Sequence, residues 1–147
     1  VGRLREFIGD ERFLCTYGDG LADVDVSLLR KFHESHGKSA TITVTQPTSR
    51  FGIVEQGVDG FVRKFREKPQ LDGLVNIGFF IFEPQILNLI DGDNCVLEQG
   101  PLTALTESGE LAAFEHSGFW QPMDTYREYQ QLNQLWSSGA APWKTWK

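Results

Sequence analysis

Apolar positions divide the chain into short stretches of helical and strand period. Leu4, Phe7 and Ile8 fall at i, i+3 and i+4 ahead of Gly9, so the chain opens on the last turns of a helix with a glycine stop. Arg12 to Tyr17 is an apolar run that halts at Gly18-Asp19-Gly20, a buried strand ending in a tight turn. Asp25 to Gly37 carries helix signals: Asp25 as N-cap, a stripe of Leu28, Leu29 and Phe32, and Gly37 as the stop. Ala40 to Thr45 alternates and is β-branched, hence a strand. Strand, helix and strand in this order predict a right-handed parallel crossover.

The middle changes character. Phe51 to Glu55 and Phe61 to Arg66 flank a Gly-rich turn and predict a β-hairpin. Leu74 to Phe82 reads as a long strand whose aromatic density predicts burial on both faces. Glu83-Pro84 opens a short helix to Leu89. Pro101 to Glu107 is a helix, Leu111 to Glu115 a strand, and Thr125 to Trp136 a final helix. In that last helix Thr125 and Glu128 match a capping box, and Tyr129, Leu132 and Trp136 lie at helical spacing. The expected class is α/β: a parallel sheet with an inserted antiparallel hairpin.

Composition narrows the function classes. With 147 residues, 40% hydrophobic and 23% charged, the chain suits one globular domain. A net charge of −6 argues against a dedicated nucleic-acid binder. Apolar runs such as Phe79 to Phe82 are too short to cross a bilayer, and no signal-peptide pattern stands at Val1. Cys15 and Cys95 make no disulfide framework and read as buried free thiols of a reduced, cytoplasmic setting. His33 and His36 have no third ligand nearby and read as solvent-facing.

Four places depart from a bland reading. Asp19, between glycines at a strand end, is either ordinary turn chemistry or a carboxylate for a hard cation carrying phosphates. Arg63 to Lys68 places four cations and one acid before Pro69, either a protected strand edge or a phosphate-binding field. Asn76 and Gly78 interrupt an apolar strand, so Asn76 must find partners and Gly78 marks a bulge or a close approach. Asp124 precedes the last helix, where the helix dipole explains it as well as a metal does.

In order, these motifs resemble the sugar-1-phosphate nucleotidylyltransferases, and within them the branch that makes CDP-glucose from CTP and glucose 1-phosphate. The matching stretches are Tyr17 to Asp23, Arg50 to Val54, Phe65 to Pro69, Val75 to Phe79 and Gly118 to Thr125. The resemblance implies a Rossmann-like mixed sheet of nucleotidyltransferase (GT-A-like) type. It implies transfer of a nucleotidyl group with release of pyrophosphate, with Asp19 and Asp124 as the two carboxylates for Mg²⁺. Lys68 is expected to meet the sugar phosphate and to act with the two carboxylates in catalysis. Glu67, Asn76 and the backbones of Gly52 and Gly78 are expected to meet glucose hydroxyls, and Gly18 and Trp120 complete the substrate-binding set.

The family's Gly-x-Gly-Thr-Arg loop and its Pro-Lys-Pro segment, which cradle the nucleotide, have no counterpart in this sequence. Residues 1–136 therefore read as the C-terminal part of a catalytic domain, truncated at its N-terminus and followed by an irregular tail, 137–147. The chain alone is expected to be inactive, CTP binding only in an intact parent, and the exposed sheet edge predicts a homo-oligomer. The alternatives are a non-catalytic module that binds sugar phosphate or assembles with partners, and a uridylyl-, thymidylyl- or guanylyltransferase relative.

Overall fold

Eight strands and four α-helices follow one another along residues 1–146, the residues that the computed structural model describes. Lys147, the last residue of the expected tail, lies outside them. A 3-10 turn, Gly2–Leu4, leads into α1 (Arg5–Ile8), which Gly9 ends with a φ of 58°. Next come β1 (Phe13–Thr16), β2 (Gly20–Ala22), α2 (Val26–His36) and β3 (Ala40–Thr45). The hairpin is β4 (Ile53–Gln56) and β5 (Val62–Arg66), and β6 spans Val75–Phe82. A 3-10 turn, Pro84–Leu89, stands where a short helix was expected. The chain continues through α3 (Pro101–Glu107), β7 (Leu111–Glu115), β8 (Trp120–Pro122) and α4 (Tyr126–Ser137).

The main sheet has the order β1-β6-β3-β7. β6 runs antiparallel to both neighbours, and β3 pairs parallel with β7. The sheet is therefore mixed, and the crossover expected from β1 through α2 to β3 is real in direction only: the two strands run parallel with β6 between them. The most apolar strand takes the centre, where both faces are covered. Phe80 and Phe82 face one layer with Ile86, Leu87, Leu102 and Leu105. Each fully buried phenylalanine contributes about 1.5–3 kcal/mol there. Ile81 faces the other way, in register with Thr41, towards α2.

Local signals place the helices. The Asp25 carboxylate accepts from the amides of Ser27 and Leu28, and Gly37 ends α2 at a φ of 64°. In α4 both halves of the Thr125–Glu128 capping box are formed. The buried face of α2 differs from the expected stripe. Leu28 is half exposed, whereas His33 is buried. The solvent-facing assignment of both histidines is thus corrected. His36 is half-buried, its Nε2 2.8 Å from Thr41 Oγ1 and its Nδ1 accepting from Lys38 N at 2.9 Å. His33 Nδ1 meets Thr41 Oγ1 at 2.8 Å and His33 Nε2 meets Glu83 Oε1 at 3.1 Å. Those two partners satisfy both ring nitrogens and make burial affordable. Cys15 and Cys95 are free but only partly buried, less than the apolar reading implied, because β1 is an edge strand and Cys95 sits in a loop.

A register shift in the β3–β6 pairing, between Ile42 and Val44, falls where Gly78 adopts a φ of 80°. This glycine bulge turns the first residues of β6 away from the regular ladder. The Tyr17 ring lies directly over it, where any Cβ on Gly78 would sit.

Candidate active site

Two three-residue strands that sequence pattern did not reveal organise the site. β2 and β8 pair antiparallel, Gly20 opposite Pro122 and Ala22 opposite Trp120. The ladder extends beyond them, from Met123 N to Asp19 O at 2.8 Å and from Asp23 N to Phe119 O at 3.2 Å. Asp19 and Asp124, 105 positions apart in sequence, therefore stand on adjoining backbones at one end of this ribbon. A Cβ on Gly20 would lie 3.5 Å from the Ile77 carbonyl and 3.6 Å from Trp120 Nε1, so the ribbon rests on the bulged start of β6.

The bulge carries a closed polar network. Asn76 Nδ2 donates to Tyr17 Oη at 3.1 Å, and Asn76 Oδ1 accepts from Gly78 N at 2.9 Å. Tyr17 Oη in turn donates to Glu98 Oε1. Burial first, and then the Glu98 carboxylate that accepts this proton, push the Tyr17 phenol up to about 12. Tyr17 is thus a neutral donor at ordinary pH that fixes the angle of Asn76. Sequence reading did not single out Tyr17 by itself; its place directly before Gly18-Asp19-Gly20 was the available signal.

The hairpin holds the second group. Phe65 folds over Gly52: a Cβ there would lie 2.7 Å from the Phe65 ring and 3.1 Å from Glu67 Oε2. The absence of a side chain at Gly52 lets Glu67 approach the backbone. Ser49 N bonds to Pro69 O at 2.8 Å and Leu71 N to Pro47 O at 2.9 Å, so Lys68 sits where the hairpin meets the paired segments 47–49 and 69–71. Its φ of 43° is the only left-handed value on a non-glycine among the described residues. A left-handed lysine is sparsely populated and persists only where its surroundings hold it.

Arg50 joins the groups. Its Nη2 lies 2.7 Å from Glu128 Oε1 and 3.7 Å from Asp124 Oδ2. Glu128 Oε2 accepts from the amides of Asp124 at 3.0 Å and Thr125 at 2.9 Å. Burial alone would push the Glu128 carboxyl up, but the Thr125 hydrogen bonds and the Arg50 charge outweigh it and hold it below the usual carboxylate range. Neither Arg50 nor Glu128 was among the expected site residues, although the capping box named Glu128 as a structural residue.

A cavity of about 700 Å³ opens beside Arg50, at the carboxyl ends of the parallel strands β3 and β7. Trp120, Val75, Gln70 and His116 line it. Ligands of open α/β sheets gather at such strand ends. Of the expected residues only Trp120 lines the cavity. Gly18, Asp19, Asn76, Gly78 and Asp124 gather around the ribbon and the bulge, and Gly52, Glu67 and Lys68 on the hairpin. In this lining, His116 Nε2 lies 3.1 Å from both the Phe119 carbonyl and Asp23 Oδ1.

Comparison with known proteins bears on the family and the fold. A family model described as nucleotidyl transferase matches residues 1–134. The chain is 52% identical over 147 residues to the glucose-1-phosphate cytidylyltransferase of Salmonella typhimurium, covering 99% of the chain and 57% of that protein. It is 34% identical over 122 residues to the mannose-1-phosphate guanylyltransferase catalytic subunit beta of Drosophila melanogaster, covering 78% of the chain and 33% of that protein. The chain thus spans little more than half the length of the cytidylyltransferase it matches. Among solved structures, one assigned as a glucose-1-phosphate thymidylyltransferase from Bacillus anthracis, in complex with a sucrose, aligns with a TM-score of 0.65. That alignment has 19% identity and covers 91% of this chain and 58% of that one. HddC from Yersinia pseudotuberculosis aligns at 0.58 with 17% identity, covering 92% and 60%. At these identities the structures speak for the fold.

Proposed function

The chain belongs to the nucleotidyl transferase family, and on that premise we propose that it carries the sugar-phosphate side and the metal carboxylates of a glucose-1-phosphate cytidylyltransferase. In that reaction a phosphate oxygen of glucose 1-phosphate attacks the α-phosphorus of CTP. The bond to the β-phosphate breaks, and CDP-glucose and pyrophosphate form. The observation that supports the reading is the β2–β8 ribbon, which sets the backbones of Asp19 and Asp124 side by side next to a strand-end cavity.

The donor chemistry fits Mg²⁺, which is commonly held by one or two carboxylates with substrate phosphates and water completing its shell. Asp124 already attracts one cation, Arg50, and its carboxylate is 55% exposed, so it is open to another. When bound, Mg²⁺ would neutralise charge on the phosphates during in-line transfer.

The chain's own residues bind and orient. Lys68 pairs with the phosphate of glucose 1-phosphate as a point charge. Glu67, packed beside Gly52 under the Phe65 ring, accepts from sugar hydroxyls. Asn76, with one N–H engaged by Tyr17 and its oxygen by Gly78, retains a second N–H for a hydroxyl. Trp120 lines the cavity, and the buried Gly78 turns the start of β6 that carries Asn76. Most of the catalysis assigned here is positioning and charge neutralisation.

The reading extends to residues 1–136 as part of one catalytic domain with 137–147 as its tail, to a cytoplasmic setting, and to a homo-oligomer. β1 is an edge strand with Leu14 half exposed, a surface suited to pairing with a second copy. A monomer by light scattering at high concentration counts against the oligomer. The activity is tested in a protein of the relatives' full length that contains this chain, by pyrophosphate release from CTP, glucose 1-phosphate and Mg²⁺. Asp19→Ala is expected to lower the rate by about 10²–10³-fold. Absence of release in the unmutated protein, or an unchanged rate in D19A, overturns the reading.

A further inference from the structure

Arg50 stands between two carboxylates with unequal hold on it. Its Nη2 is 2.7 Å from Glu128 Oε1 and 3.7 Å from Asp124 Oδ2. Glu128 is itself fixed in place, 8% exposed, with its second oxygen accepting from the amides of Asp124 and Thr125. One carboxylate thus grips both the backbone of Asp124 and the guanidinium that faces the Asp124 side chain. Arg50 and Asp124 are each 55% exposed and are free to rearrange. A guanidinium released from Glu128 has Asp124 as its nearest alternative, and the fork-to-carboxylate pairing would cover both Asp124 oxygens.

We propose that Glu128 is a positioning residue that restrains Arg50 from closing on Asp124 and so leaves the Asp124 carboxylate open to a divalent cation. The inference rests on the reading of Asp124 as a metal carboxylate. In this arrangement Arg50 lowers the negative field at the site without occupying the ligand, and Glu128 determines how far the guanidinium reaches. The helix cap and the ligand residue are held by the same side chain, so the start of α4 and the metal position move together.

The test is Mn²⁺ alone, titrated by electron paramagnetic resonance into the chain and its variants. Glu128→Gln keeps the shape and an oxygen for the two amides but drops the charge that holds Arg50. Its Mn²⁺ Kd is expected to weaken about tenfold, the lower end of what outer partners of metal ligands contribute. Adding Arg50→Ala to E128Q is expected to return the Kd to within about twofold of wild type, a strong coupling in the double-mutant cycle. Arg50→Ala alone is expected to bind no more weakly than wild type. If E128Q binds like wild type, or if the double variant stays as weak as E128Q, Glu128 acts only as a helix cap and the proposal falls. Should E128Q fail to fold by circular dichroism, R50A decides alone, since weaker Mn²⁺ binding there overturns the restraint. Asp124→Ala separates the two layers. Unchanged Mn²⁺ binding in D124A, or none in wild type, overturns the metal reading and the proposal with it. Lost binding in D124A with additive effects of E128Q and R50A overturns the proposal alone.

Discussion

The amide of Met123 donates to the carbonyl of Asp19 at 2.8 Å, and this bond continues the β2–β8 ladder to the pair of acidic residues. It sets the spacing of two backbones that come from opposite ends of the chain. Met123→Pro removes the donor and leaves the Asp19 carbonyl without its partner. Displacing a reacting group by about 1 Å costs on the order of 10²-fold in rate. The expected result in a full-length protein is a loss of that size for M123P. Met123→Leu keeps the amide and is expected to retain the rate, because the Met123 side chain is 40% exposed. Equal rates for the two variants would show that the ladder does not position the carboxylates.

Lys68 holds a φ of 43°. A left-handed conformation costs an L-residue about 1–2 kcal/mol, which glycine avoids. Glycine adds about 0.5–1 kcal/mol of chain entropy to the unfolded state, offsetting part of that relief. Lys68→Gly is therefore expected to raise stability by about 0.5–1 kcal/mol in urea unfolding. The same variant is expected to lose glucose 1-phosphate binding at least about tenfold by calorimetry, since the charge-assisted contact is gone. A loss of stability larger than about 1 kcal/mol would mean the side chain holds the hairpin rather than being held for a ligand.

Gly78 has the opposite balance. Its φ is 80°, and a Cβ there would run into the Tyr17 ring. Gly78→Ala adds left-handed strain of about 1–2 kcal/mol to an overpacking cost of about 1–3 kcal/mol. The expected loss is about 3 kcal/mol by urea unfolding, with Tyr17 displaced. Tyr17→Ala in the same background removes the obstruction and is expected to recover the overpacking share but not the backbone strain. Full additivity of the two changes would place the clash elsewhere.

Much of this architecture was legible because its signals are local. Asp25 and Gly37 bracket α2, and Thr125 with Glu128 starts α4, each within one or two turns of chain. The aromatic run of β6 announced a strand buried on both faces. What escaped was long-range. Three residues are too few to show a period, so β2 and β8 left no trace, and with them went the reason Asp19 and Asp124 adjoin. The antiparallel insertion of β6 between β1 and β3 depends on packing of its two faces, which no single segment carries. His33 was misplaced for a related reason: its polarity pointed outward, but Thr41 and Glu83, 8 and 50 positions away, satisfy it inside. Arg50 was visible within a motif, yet its link to Glu128 exists only once the hairpin and α4 are brought together.

His36, the last residue of α2, makes folding stability depend on pH. Lys38 N donates to His36 Nδ1 at 2.9 Å, so that nitrogen is bare and the ring proton lies on Nε2, donating to Thr41 Oγ1 at 2.8 Å. The Thr41 hydroxyl passes its own proton towards His33 Nδ1, and His33 Nε2 donates to Glu83. A second proton on His36 would face the Lys38 amide. Burial first, then the neighbouring His33 and Lys38 charges, lower the His36 pKa from 6.5, and Glu110 opposes this without reversing it. The folded chain therefore takes up this proton less readily than the unfolded chain. Its contribution to stability is fully present above about pH 6.5 and is lost as pH falls through the lowered folded pKa. Urea unfolding at about pH 7.5 and about pH 5.5 is expected to show the loss in wild type. Glu83 and Glu110, held below 4.5, lose their contribution only at lower pH and stay outside this interval. His36→Gln keeps an N–H for Thr41 but cannot titrate, so its stability is expected to change less over the same interval. Equal slopes in the two proteins would remove His36 as the source.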